Sequence, residues 1–153
     1  MPDCFISYSS QDEKVAATVR EEMHRHGVSA FMASVSVQPG QNWSGEILRN
    51  LRASNWVILL ASRAACESSF VNQEIGGALI DSKNLIPIVW DMSPSDLPGW
   101  ARHFQAIDLR VSTPAALQEQ VGLIATRIKQ KKAQGLLIVG AILFAVFAFG
   151  SGK

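Results

Sequence analysis

Glu74 is the one charged residue in the stretch SSFVNQEIGGALI, residues 68–80, and its spacing makes it the leading candidate for chemistry. Val71, Ile75 and Leu79 recur every four residues and are expected to face a core. Phe70 and Glu74 form a second i, i+4 pair about one hundred degrees round the same helix. A carboxylate so placed stands at the edge of burial beside an aromatic ring, where it can accept hydrogen bonds or offset positive charge. Most helical glutamates are simply solvated. The neighbouring ring and the pair Gly76-Gly77, each glycine costing a helix about 1 kcal/mol relative to Ala, predict instead that something approaches closely here.

Other candidates carry less. His24 and His26 lie two positions apart on a helical pattern, point in different directions and have no Cys or carboxylate partner at metal-ligand spacing, so no metal site is expected. Cys4 and Cys66 are far apart in sequence and are expected to be two reduced thiols, Cys4 within a buried strand. The terminal GSGK resembles the end of a phosphate loop, but Phe147 occupies the first-glycine position and no Ser or Thr follows the lysine. No GxGxxG, HExxH or GxSxG pattern occurs.

The elements that must position these residues alternate. CFISY, VSAFMA, WVILLA, LIPIVW and the weaker AIDL are short apolar runs, the pattern of parallel strands buried on both faces. Between them lie helical stretches. The first, DEKVAATVREEMHRHG, carries Val15, Val19 and Met23 on one side and ends at Gly27; another covers Trp43 to Ala53 with Asn42 as N-cap. A last helix spans Thr113 to Lys132, with Leu117, Val121, Ile124 and Ile128 on one side. Five strand–helix units predict an α/β fold, a flavodoxin-like five-stranded parallel sheet of order 2-1-3-4-5 with helices on both faces. Ligands of such sheets sit beyond the carboxyl ends of the strands where the winding reverses, so Tyr8, Ser9, Ser10 and the approach to the Glu74 helix are expected to meet there.

With 153 residues there is room for one domain, 1–132, and a tail, 133–153. Fourteen Lys and Arg against 13 Asp and Glu leave a net charge of +1, which offers no field for nucleic acid. The N-terminus has no secretory pattern, so the domain is expected in the cytosol. GLLIVGAILFAVFAFG, Gly135 to Gly150, carries no charge and follows RIKQKK. Its roughly 16 residues would reach about 24 Å, a borderline span, so a single membrane helix is expected. Lys129, Lys131 and Lys132 on its flank predict a cytoplasmic domain tail-anchored to the inner membrane.

Three motifs together carry a resemblance: CFISYSSQDE at the first strand, FMASVSVQPGQNWSGEI across the second strand and its loop, and SSFVNQEIGGAL. Residues from Asp3 to about Lys132 resemble a Toll/interleukin-1 receptor (TIR) domain, and PGQNW followed by FVNQEIG is similar to the bacterial TIR proteins of Thoeris-type antiphage defence. The resemblance implies cleavage of the nicotinamide–ribose bond of NAD⁺, as substrate and without a resident cofactor, with Glu74 as the catalytic residue. It implies a substrate pocket drawn from Tyr8, Ser9, Ser10, Ala33, Ser34, Trp43 and Phe70. The family commonly has Trp four positions before its glutamate; Phe70 keeps a ring there and lacks the indole N–H. The loop Ser34 to Asn42 resembles the family's BB loop, which implies self-association beside the site.

The implied product is ADP-ribose or a cyclic or adducted ADP-ribose signal made by an assembled protein in antiphage defence. A non-enzymatic TIR scaffold that signals by self-association is the alternative. One carboxylate is chemically sufficient for the enzyme. A glycosidase needs a second carboxyl group to protonate a departing alkoxide, whereas nicotinamide leaves a pyridinium already neutral.

Overall fold

The computed structural model describes residues 1–34, 45–69, 71–76 and 83–150, with the backbone alone at 34, 73, 74 and 138–150. Five parallel strands form one sheet in the order β2-β1-β3-β4-β5: β1 Cys4–Tyr8, β2 Ala30–Ser34, β3 Trp56–Leu60, β4 Asn84–Val89 and β5 Ile107–Asp108. This is the predicted order, and the winding reverses between β1 and β3. β1 and β3 are buried along their whole lengths. The pairing sets Ser7 opposite Ala33 on one side and Leu59 on the other, and Tyr8 opposite Ser34.

Strand alternation divides the core in two. Phe5, Ala33, Val57, Leu59 and Ala61 face α2 (Gly45–Ala53), α3 (Arg63–Cys66) and the segment after β4. Phe5 stacks on Phe31 at 5.8 Å between ring centroids within that half. Cys4, Ile6, Tyr8, Ile58 and Leu60 face α1 (Glu13–Arg25) and a final helix, α4 (Pro114–Gly150). The stripe of α1 is Ala16, Val19 and Met23 at full burial, with Val15 only partly covered. Gly27, at φ 75°, ends this helix as the sequence predicts, and Val28 N–H closes on the Met23 carbonyl at 3.0 Å. On α4, Val121, Ile124 and Ile128 are buried as expected, and Leu117 packs at the margin.

Two expectations change. The Glu74 helix is not one regular α-helix: four residues of α3 are followed, after a break, by a π-helical turn, Val71–Ile75. The last helix and the tail, expected as separate elements, form one continuous helix to Gly150. The expected membrane span loses its support, because among the described residues no helix is long and apolar enough to cross a membrane. The charges of α4 up to Leu137, Arg127, Lys129, Lys131 and Lys132 among them, precede the uncharged stretch, and the side chains of residues 138–150 lie outside the described residues.

These cations work against the sheet instead. Lys131 lies over the Trp56 ring at 5.3 Å, and Lys132 Nζ pairs with Asp3 at 2.8 Å. Burial alone would raise the Asp3 carboxyl, but hydrogen bonds from Lys132 and Ser29 outweigh it and hold Asp3 below its ordinary value of 3.8. A lowered carboxylate stabilises the fold above that ordinary value and stops doing so as pH falls through the lowered one. We expect Asp3→Asn to flatten the stability profile below about pH 4 and to leave neutral stability within about 1 kcal/mol, as denaturant midpoints at pH 3 and pH 7 would reveal.

Candidate functional site

The turn that carries Glu74 is anchored by its neighbours. Val71 and Ile75 are fully buried in the half-core shared with Phe5, Ala33, Leu59 and Ala61. Asn72 stitches the turn to what precedes it: its Nδ2 donates to the Cys66 carbonyl at 3.0 Å and the Ser68 carbonyl at 3.1 Å. The segment after β4 covers the turn from outside. Trp100 Nε1 donates to Asn72 Oδ1 at 3.1 Å, and the Trp100 ring lies 3.5 Å from where a Cβ on Gly76 would stand. The close approach predicted from the glycine pair is thus made at Gly76 by Trp100. At that distance an alanine would make ordinary contact, so space does not demand the glycine. π-Helical turns are rare and recur at functional sites, since they shift the residues they carry out of α-helical phase.

At the carboxyl ends of β1 and β2 the register brings Tyr8, Ala33 and the backbone of Ser34 side by side, with Ser9 and Ser10 just beyond. Ser9 is 4% exposed and its Oγ accepts from Gln11 N–H at 3.4 Å, capping the short turn Ser10–Asp12. Tyr8 departs from expectation. Alternation turns its ring toward α1 and α4, the face opposite the Glu74 turn. Burial and the nearby Glu13 carboxylate raise the Tyr8 phenol above its ordinary value while Arg20 lowers it, so the hydroxyl stays protonated. Trp43 and Phe70, and the loop of residues 35–42, lie outside the described residues.

Ser7 occupies the row that Tyr8 leaves. It is fully buried, sits between Ala33 and Leu59 on the face of the Glu74 turn, and among the described residues its Oγ has no hydrogen-bond partner. A buried hydroxyl without a partner costs about 1–3 kcal/mol. We expect Ser7→Ala to hold the thermal midpoint or raise it by about 2–4 °C, given the size of the chain. A fall of several degrees in a melting curve would mean that the hydroxyl has a stabilising partner after all.

Across the β1/β3 reversal, Ser62 Oγ donates to Asp12 Oδ2 at 2.5 Å and accepts from Ala65 N–H at 3.2 Å. One residue on, Arg63 N–H donates to the Asp91 carboxylate at 3.2 Å and Arg63 Nε to the Asp91 carbonyl at 3.4 Å. The ends of β1, β3 and β4 are therefore tied together by four residues, Asp12, Ser62, Arg63 and Asp91, none of them among the sequence-predicted site residues. Their signal was available, since Ser62 and Asp91 are the first polar residues after two continuous apolar runs.

The alternatives recede. Burial and the neighbouring Asp3 push the Cys4 thiol up to about 12, and burial with Asp91 and Glu67 nearby pushes Cys66 up to about 11. Neither supplies a thiolate near neutrality. His24 Nε2 accepts from Ala30 N–H at 3.4 Å, while His26 Nδ1 lies 3.0 Å from the Glu22 carbonyl. Among the described residues no group of three metal-ligating side chains assembles. A cleft of about 430 Å³ lined by Arg25, His26, Gly27 and Lys129 lies between α1 and α4, on the wrong face for Glu74.

The family model described as TIR domain matches residues 4–121. A protein of Brachypodium distachyon named "Probable 2' cyclic ADP-D-ribose synthase BdTIR" is 27% identical over 97 residues, 62% of this chain and 43% of that protein. One of Methanobrevibacter olleyae, named "Probable 2' cyclic ADP-D-ribose synthase TcpO", is 23% identical over 135 residues, 86% of this chain and 40% of that protein. The chain thus spans about two fifths of the length of either relative. Among solved structures, the TIR domain of a Toll-related receptor from Hydra magnipapillata superposes with a TM-score of 0.57 at 20% identity, over 79% of this chain and 98% of that one.

Proposed function

This chain belongs to the TIR domain family, and from that premise we propose that it cleaves the nicotinamide–ribose bond of NAD⁺, with residues 1–132 as the catalytic unit. The observation that carries the reading is the seat of Glu74 on a π-helical turn, held by Val71 and Ile75 against the same sheet face as Ser7 and Ala33. The names borne by the two relatives support NAD⁺ as the substrate class.

In the proposed step the C1′–N bond breaks, and its electron pair neutralises the pyridinium as nicotinamide departs. The ribose becomes oxocarbenium-like, and the Glu74 carboxylate stabilises that charge while accepting hydrogen bonds from ribose hydroxyls. Water, or a hydroxyl of the dinucleotide itself, then attacks C1′ and gives its proton to solvent. Water yields ADP-ribose, and an internal hydroxyl yields a cyclic product. The names borne by the two relatives favour a cyclic signal, and the Thoeris-like motifs PGQNW and FVNQEIG favour a role in antiphage defence. The step needs no general acid, metal or resident cofactor. Ser9, Ser10, Ser34, Trp43 and Phe70 are proposed to line the pocket, with the loop from Ser34 to Asn42 bringing in a second copy.

Phe70 gives the pocket a ring for stacking. Phe70→Trp restores the commoner family residue, and we expect it to be tolerated. Phe70→Ala should lower kcat/KM about tenfold, in line with the worth of one aromatic contact. Steady-state nicotinamide release by the three proteins makes the comparison, and equal activity in the alanine variant would remove Phe70 from the pocket.

A further inference from the structure

We propose that Trp100 is a positioning residue, holding through Asn72 and Gly76 the π-helical turn that presents Glu74. The proposal takes its catalytic consequence from the NAD⁺ reading above. A π-helical turn is a rare departure from α-helical geometry, and Ser69 before it and Gly76 after it are α-helical, so a contact that holds it in that departure matters to the residues it carries. Two of the constraints are apolar, Val71 and Ile75 in the core. They fix which face is down, and an outer restraint on the turn comes, among the described residues, from the segment after β4.

Trp100 supplies that outer restraint. Its indole N–H holds Asn72, two residues before Glu74, and its ring lies over Gly76, two residues after it. The carrier is itself well fixed. Leu97 and Ala101 are 1% and 0% exposed on either side of Trp100, and Ala101 N–H closes a turn on the Pro98 carbonyl at 2.8 Å. Both ends of the Asn72 amide are engaged, its oxygen accepting from Trp100 and its nitrogen donating to the Cys66 and Ser68 carbonyls. The chain after β4 is thereby coupled to the residue proposed to do the chemistry. Because Asn72 is exposed, its bond to Trp100 competes with water and adds little to global stability. Its effect is on local geometry, where a misplacement of about 1 Å can cost on the order of a hundredfold in rate.

Two variants separate this role from packing. Trp100→Phe keeps a ring over Gly76 and removes the N–H; Asn72→Ala keeps Trp100 and removes the acceptor. In each we expect kcat for nicotinamide release to fall about tenfold or more with KM within about twofold, while the thermal midpoint moves by no more than a few degrees. Amide hydrogen exchange read at residues 72–76 should quicken in both variants and remain unchanged in β1 and β3. Unchanged exchange at residues 72–76 would overturn the proposal whatever the activity. So would faster exchange with unaltered kcat, since the clamp would then be structural alone. A wild-type protein that releases no nicotinamide would count against the NAD⁺ reading, and exchange would still report whether Trp100 holds the turn.

Discussion

Glu74→Gln should lower the rate of nicotinamide release from NAD⁺ by roughly 10²–10³-fold while leaving the melting temperature unchanged within a few degrees. The amide preserves the shape of the side chain and one acceptor oxygen, so the turn and its contacts with the sheet through Val71 and Ile75 stay as they are. What disappears is the negative charge, whose value is greatest when the ribose becomes cationic. An interaction made mainly in the transition state should show in kcat more than in KM. A folded Glu74→Gln protein with near-full activity would end the catalytic assignment, whereas loss of activity with loss of fold would be read again in Glu74→Asp. That variant keeps the charge and withdraws it by one methylene, so partial activity is expected.

The sheet was legible because buried parallel strands announce themselves. WVILLA and LIPIVW have no polar interruption, and the five runs with their spacing led directly to the order observed. Gly27 and the apolar stripe of α4 were equally plain. The candidate site was less so. Which of Ser7 and Tyr8 faces Glu74 depends on strand phase, and a one-residue difference reverses the answer. Tyr8 was expected at the site because it ends β1 at the carboxyl edge of the sheet, while the buried hydroxyl of Ser7 one residue earlier gave no signal in the sequence. The π-helical turn was invisible for a related reason: Val71 and Ile75 fit α-helical spacing, and Trp100, which bonds the turn at Asn72, stands 28 residues away in the chain. A local pattern cannot report a tertiary restraint of that kind.

Activity should also rise steeply with protein concentration. The loop from Ser34 to Asn42 resembles a subunit-packing element beside the proposed site, and Pro39-Gly40 is expected to fix its turn. If a neighbouring copy completes the pocket, a dilute monomer lacks part of it, and specific activity follows the fraction assembled. We expect specific activity to climb at least tenfold between concentrations where the chain is monomeric and those where it is assembled. A charge in place of Val37 should abolish that rise, because burying an unpaired charge at a subunit contact costs several kcal/mol. Light scattering alongside the assay relates the two. A flat activity profile that ignores the charge would show a self-sufficient monomer.

Incubation of the purified chain with NAD⁺, with nicotinamide and the ADP-ribose product separated and quantified over time, tests the central claim most directly. The account predicts nicotinamide in equal amount to the NAD⁺ consumed, at concentrations where the protein is assembled, and release slower by roughly 10²–10³-fold from Glu74→Gln. NAD⁺ that stays intact beside a folded, assembled wild-type protein would contradict it and would leave a TIR scaffold that signals by association alone.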